Sequence, residues 1–210
     1  MSSAAPIVHI VDDDMSFRTS VGRLVQLSGY RSAGYASGAE LLARLPTDEP
    51  GCILLDLNMP GLDGLELQDR LAEVAPQLPI VFLTGYGNIS TTVRAMKAGA
   101  EDFLEKSASS SDLLAAIKRA MLLGQQRSAE HERNIRLNAL VASLTKREAF
   151  VFDLIVRGKR NKQVAFELGT TERTVKAHRR SIMEKLGARS LAEAVSIAER
   201  LGMIDDQSAP

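Results

Sequence analysis

Along the first half of the chain, short apolar runs alternate with stretches in which apolar residues recur every three or four positions. Residues 7–11, 52–55 and 79–83 are nearly continuous apolar runs, the pattern of strands buried on both faces of a parallel sheet. Residues 31–35 and 102–105 read as two shorter, more polar strands. Between the first two strands, Phe17, Val21, Leu24, Val25 and Leu27 recur at helical spacing up to Gly29, which stops that helix. Ser37 is placed to cap a second helix carrying Leu41, Leu42 and Leu45, which ends before Pro46. Further helices are predicted over about 65–74 and 90–98, the latter stopped by Gly99. Five strands alternating with helices imply right-handed crossovers, and so an α/β doubly wound five-stranded parallel sheet.

From Asp112 onward only helical spacing remains. Leu113, Leu114, Ile117 and Met121 share one face, after which residues 125–134 hold almost no apolar residue and no Pro. That composition predicts a solvated continuation of the helix with Gly124 as its weakest point, a coil linker being the alternative. Leu137, Leu140, Val141 and Leu144 restore an apolar face before Thr145, and four short helices follow at about 146–157, 162–167, 172–186 and 191–201. The expected organisation is an α/β domain over 1–123, a helical linker over 124–143, an all-α four-helix domain over 144–204 and a disordered tail over 205–210.

Composition sharpens this picture in two places. Hydrophobic residues at 45 % and charged residues at 25 % are ordinary for a globular protein. No apolar run approaches the ~20 residues that span a bilayer, and no signal-peptide pattern is seen, so a cytoplasmic location without membrane contact is expected. The single Cys52 lies in a strand pattern and reads as a small core hydrophobe. The formal net charge is zero but unevenly spread: residues 1–125 carry 10 Lys and Arg against 15 Asp and Glu, and residues 126–210 carry 16 against 11. An acidic half joined to a basic half implies two domains with different partners.

The candidate chemistry of the acidic half lies at strand ends. Asp12 and Asp13, Asp56, Thr84 and Lys106 follow the first, third, fourth and fifth strands, and the carboxyl ends of parallel strands share one edge, where open α/β sheets bind ligands. Singly, the acidic run reads as a solvated turn, Thr84 as a turn residue and Lys106 as a surface charge; their agreement at successive strand ends favours a site. Crowded carboxylates call for a hard divalent cation with oxygen ligands, and Mg²⁺ fits because it leaves room for phosphate oxygens. A hydroxyl from Thr84 and an ammonium from Lys106 supply donors for an anion, and Asp56 is the candidate nucleophile for phosphoryl transfer.

Here the chain resembles the flavodoxin-like receiver domain of bacterial two-component response regulators, over about residues 5–123. The matching elements are Val11-Asp12-Asp13, Leu55-Asp56, Met59-Pro60-Gly61 with Gly64, Leu83-Thr84-Gly85 and Lys106. The resemblance implies that Asp56 accepts a phosphoryl group from a histidine kinase. It implies that Asp13 and Asp56 contact Mg²⁺ directly, Asp12 mainly through water and Asn58 through its carbonyl. Thr84 and Lys106 would hold phosphoryl oxygens, and Phe103 would reorient with Thr84 or serve only as core. The family usually has Pro after this Lys; Ser107 stands here, which predicts a more mobile loop and a less firmly aimed Lys106.

In the basic half, Thr171 is a natural N-cap after Gly169, and Val175, Ile182 and Leu186 mark the inward face of the helix that follows. Its other faces carry Lys176, Ala177, Arg179 and Arg180, a pattern that fits either a helix-turn-helix or a solvated basic helix. Leu144-Thr145, Arg147-Glu148, Gly158, Asn161-Lys162, Ala165, Leu168, Thr174-Val175-Lys176, His178, Ile182 and Lys185-Leu186 resemble LuxR-type DNA-binding domains. The resemblance implies that Lys176, Ala177 and Arg180 face base edges, while Asn161, Lys162, Thr174 and Arg179 hold phosphates. His178 reads as packed or phosphate-facing, and the helix over 191–201 as a dimerisation helix with Leu191, Val195 and Ala198 on one stripe.

Together these imply a FixJ/LuxR-type response regulator, a transcription factor rather than an enzyme. A histidine kinase would phosphorylate Asp56 with Mg²⁺, and the active homodimer would bind promoter DNA and meet RNA polymerase. One alternative keeps the fold but works without phosphorylation. Another, a Mg²⁺-dependent phosphohydrolase using Asp56 transiently, lacks a general base at the strand ends and leaves the basic helix without a role.

Overall fold

The computed structural model describes residues 6–45, 49–85 and 89–204. The chain divides into two compact units, residues 1–130 and 131–210. In the first, strands β1 (Ile7–Val11), β2 (Arg31–Tyr35), β3 (Gly51–Asp56), β4 (Ile80–Thr84) and β5 (Asp102–Glu105) form one sheet in the order β2-β1-β3-β4-β5. All four pairings are parallel. The fold class expected from the apolar pattern is the one observed.

The sheet is buried on both faces because its central strands carry apolar side chains at nearly every position, the exceptions being His9 within β1 and Asp56 and Thr84 at the ends of β3 and β4. Val8, Ile10, Cys52, Leu54, Val81 and Leu83 pack with Val21 and Val25 of α1 (Met15–Leu27) and with Leu113, Ile117 and Met121 of α5 (Ser110–Ala142). The alternate residues Val11, Ile53, Leu55 and Phe82 pack with Leu41 of α2 (Gly38–Arg44), Leu67 and Leu71 of α3 (Gly64–Val74) and Ala95 of α4 (Ile89–Lys97). Cys52 is fully buried in this core, and burial pushes its thiol up to about 12.

Two local features differ from the sequence expectation. The α5 helix begins at Ser110 rather than Asp112, because Ser109 caps it: its Oγ accepts the N–H of Asp112 at 3.2 Å and donates to the Asp112 carboxylate at 2.6 Å. Serines that read as loop filler are therefore a helix start. Gly124 is no weak point. It is buried where α5 passes β3, and a Cβ there would stand 2.2 Å from the carbonyl oxygen of Gly51, so the helix needs glycine for close approach. The α5 helix runs unbroken through the polar stretch 125–134.

The second unit packs α6 (Lys146–Val156), α7 (Asn161–Leu168), α8 (Glu172–Leu186) and α9 (Leu191–Arg200) around Val151, Phe152, Ile155, Val164, Val175, Ile182 and Leu186. Gly169 and Gly187 end α7 and α8 in left-handed conformations, at φ 61° and 65°. The expected disordered tail, 205–210, lies outside the described residues.

Candidate functional site

The candidate pocket forms where β1, β3, β4 and β5 end. Asp12, Asp13 and Asp56 bring carboxylate oxygens within 4.8 Å of one another, with Asp12 and Asp56 buried and Asp13 exposed. Backbone geometry fixes the first two: Asp12 Oδ1 accepts the N–H of Asp14 at 2.9 Å, and Asp56 Oδ1 accepts the N–H of Asn58 at 3.3 Å. Behind Asp56, Gly64 lets α3 begin against the strand, since a Cβ there would meet the Asp56 carbonyl oxygen at 2.6 Å. Asn58 is itself exposed on the loop between.

Lys106 reaches across to this cluster. Its Nζ lies 2.7 Å from Asp12 Oδ2 and 2.9 Å from Asp56 Oδ2, so Ser107 in the following position leaves the ammonium well aimed. The expected loss of aim is thus not seen, because two carboxylates anchor the charge. The ring of Phe17 adds a cation–π contact at 4.9 Å. Burial disfavours the Asp12 carboxylate and raises its pKa above the ordinary carboxylate value despite Lys106. Partial burial works against the Lys106 ammonium as well, but Asp12 and Asp56 outweigh it and hold its pKa above that of a free lysine. Thr84 ends β4 fully buried, and Phe103 is half-buried with its ring 5.9 Å from that of Phe82.

Three carboxyl groups face one ammonium at these strand ends, a donor set of hard oxygens that fits a divalent cation such as Mg²⁺. Two contributors went unnoticed in the sequence. Phe17 read only as an apolar helix position, and Arg18, whose Nη1 donates to the Asp12 carbonyl at 2.6 Å, carried no sequence signal.

In the second unit, α8 shows Lys176, Ala177 and Arg180 exposed opposite buried Val175, Ile182 and Leu186. Thr174, Arg179 and Asn161 are half-buried, and Lys162 is exposed at the start of α7. Arg180 Nε holds Glu184 at 2.9 Å across one helical turn. A buried network braces the helix against α6: the Glu148 carboxylate accepts from Ser181 Oγ at 2.7 Å, Lys185 Nζ at 2.6 Å and the Thr145 N–H at 2.8 Å. These partners hold the Glu148 carboxyl down to about 2. Thr-x-x-Glu is legible in sequence as a capping box, but the link to Lys185 is not. The stripe expected on α9 needs correction. Ala198 is fully buried in the core of this unit and Val195 packs against that core, leaving Leu191 as the exposed member. Helical periodicity had placed them on one face without showing that the face is already covered.

Residues 8–118 match the family model of the response regulator receiver domain, and residues 142–198 match that of bacterial regulatory proteins of the luxR family. The chain is 40 % identical over 202 residues to nodulation protein W of Bradyrhizobium diazoefficiens, covering 96 % of this chain and 89 % of that protein. It is 35 % identical over 197 residues to the transcriptional regulatory protein FixJ of Azorhizobium caulinodans, covering 93 % of each. Among solved structures, the response regulator StyR is 43 % identical and superposes with a TM-score of 0.75, covering 94 % of this chain and 100 % of that one.

Proposed function

Because this chain belongs to the response regulators that join a receiver to a LuxR-type DNA-binding domain, we propose that Asp56 is its phosphoacceptor and that phosphorylation promotes dimerisation on promoter DNA. A phosphorylation-regulated transcription factor of this kind, with a histidine kinase as donor, is what the two matched domains establish. The single observation that carries the assignment to Asp56 is the position of Lys106, whose ammonium bridges Asp12 and Asp56 at the strand-end carboxylate cluster.

In the transfer, an Asp56 oxygen attacks the phosphorus as the bond to the donor histidine nitrogen breaks, giving an aspartyl phosphate. Asp12, Asp13, Asp56 and the Asn58 carbonyl would hold a divalent cation, which would supply charge neutralisation at the phosphoryl oxygens. Lys106 trades its contact with Asp56 for one with a phosphoryl oxygen. The buried Thr84 hydroxyl supplies a second donor, and Phe103 follows its movement. The new group adds about 1.5–2 negative charges and three acceptor oxygens, enough to bias a two-state domain. In the second unit, Lys176, Ala177 and Arg180 read base edges, while Asn161, Lys162, Thr174 and Arg179 hold phosphates. The functional domains span 1–123 and 144–204, and the site of action is the cytoplasm, with RNA polymerase as the downstream partner.

The test is phosphate incorporation from a small phosphodonor, with and without Mg²⁺, followed by sedimentation. Labelling should need Mg²⁺, vanish in Asp56→Asn and accompany a shift toward dimer. Undiminished labelling in Asp56→Asn refutes the acceptor, and unchanged sedimentation refutes the coupling.

A further inference from the structure

Resting on the DNA-binding function above, we propose that a cleft between the start of α6 and the flank of α8 is a second DNA-backbone site. It would take a phosphodiester on the groove wall opposite the one met by Asn161 and Lys162. The cleft has a volume of about 250 Å³ and is lined by Arg147, Thr170, Thr174 and His178, together with Leu168 and Gly169 of the turn.

The placement follows from the helix period. Val175, Ile182 and Leu186 are buried and define the inward side of α8, and Lys176, Ala177 and Arg180 are exposed on the far side. Thr174 and His178, one turn apart and half-buried, lie on the flank between them. Ser181 and Lys185 continue that flank and bond Glu148, so the flank faces α6. By the helix period Arg179, half-buried, falls on the other side of the inward stripe from Thr174 and His178. A major groove about 12 Å wide holds a helix about 10–12 Å across, so the two flanks face two walls of phosphates. On the α7 side Asn161, Lys162 and Arg179 meet one wall. The cleft is what the chain presents to the other.

Its chemistry suits an anion. Among the described residues Arg147 has no carboxylate partner. Glu148, its neighbour in sequence, is 5 % exposed and committed to Ser181, Lys185 and the Thr145 N–H, so the Arg147 charge stays uncompensated. Thr171 Oγ1 accepts the Thr174 N–H at 3.3 Å and lies 3.0 Å from Thr174 Oγ1. With Thr171 donating in that second contact, the Thr174 hydroxyl keeps its own proton for a phosphate oxygen. The guanidinium offers a fork of N–H groups that matches phosphate geometry, and the His178 ring adds a further nitrogen.

The experiment uses the full chain, a duplex that the wild type selects from a random pool, and a scrambled duplex of equal length, each titrated over a salt series. Arg147→Gln should weaken both duplexes by the same factor and lower the slope of log K against log salt by roughly 0.9, as Lys162→Gln should. Arg147→Lys should restore the slope, and thermal unfolding of Arg147→Gln should match the wild type. His178→Gln should weaken both duplexes equally. Replacing chloride by inorganic phosphate at equal ionic strength should leave the dependence on Arg147 intact. An unchanged slope in Arg147→Gln alongside a lowered slope in Lys162→Gln overturns the cleft while DNA binding stands. A loss confined to the selected duplex makes Arg147 a base reader and overturns the phosphate assignment, and phosphate that erases the dependence assigns the cleft to a free anion. Failure of the wild type to bind any duplex overturns the DNA-binding function and the cleft with it.

Discussion

Acid should unfold the receiver unit through one histidine in the middle of its sheet. His9 sits on β1 between Ala33 and Ile53 of the neighbouring strands and is fully buried. Its Nδ1 meets the Tyr35 hydroxyl at 3.1 Å, and Nε2 has no partner among the described residues. Burial lowers its pKa to about 4 from 6.5, with Glu49 acting weakly against the shift and Arg31 with it. A folded pKa below the unfolded one means that the unfolded chain takes up the proton first, so stability is complete above pH 6.5 and falls as pH drops toward 4. The linkage integral gives a loss of about 2 kcal/mol by pH 5 and about 3 kcal/mol by pH 4. Tyr30, Tyr35 and Tyr86 are the chain's three tyrosines and all lie in residues 1–130, so their emission during urea unfolding follows this unit alone. His9→Gln keeps a partner for Tyr35 but does not titrate. Between pH 7 and 4 the wild type should lose about 3 kcal/mol more than this variant, a comparison that cancels the other acids, Asp12 among them. Parallel stability curves for the two proteins refute the reasoning.

Two substitutions probe other parts of the same unit. Gly124→Ala gains up to about 1 kcal/mol of helix propensity but drives a methyl group against the Gly51 carbonyl oxygen; net destabilisation of about 1–3 kcal/mol is expected by the same tyrosine assay, and a stabilised variant contradicts the close approach. Lys106→Gln removes the only cation paired with Asp12 and Asp56 among the described residues, so divalent-ion binding measured by calorimetry should tighten by about threefold or more, while phosphate incorporation slows; weaker ion binding would show that Lys106 helps to hold the metal site together.

Sequence pattern carried the fold a long way because β3 and β4 are apolar up to their last residue and β1 is interrupted only by His9, the near-continuous pattern of strands covered on both faces. The candidate site was legible for the same reason: a parallel sheet turns successive strand ends into one edge, and Asp12, Asp56, Thr84 and Lys106 each stand at such an end. What stayed hidden depends on distances that no local pattern encodes. The close passage of Gly124 over Gly51 links positions far apart in the chain, and the burial of Ala198 depends on which helices α9 meets. Ser109 was hidden differently, since a serine run reads alike as a coil or as a cap until the Asp112 amide is seen to use it.

The two units handle charge in complementary ways, and the places where charge is left over are those assigned to ligands. At the strand ends, Asp12, Asp13 and Asp56 outnumber Lys106, and like charges within 4.8 Å of one another repel by roughly 1–4 kcal/mol at dielectric constants between those of water and a protein surface. Lys106 is the one cation that pairs with these carboxylates among the described residues, while Arg18 reaches only the Asp12 carbonyl, so the strand ends favour a divalent cation, and a bound cation would in turn make room for the charge of a phosphoryl group. In the second unit Glu148, the one buried acid among the described residues, is satisfied internally by Lys185 and Ser181. Breaking that pair would set a loose carboxylate in α6 next in sequence to Arg147 and beside the flank of α8. The same ion pair therefore braces α8 against α6 and cancels a charge that would otherwise oppose Arg147.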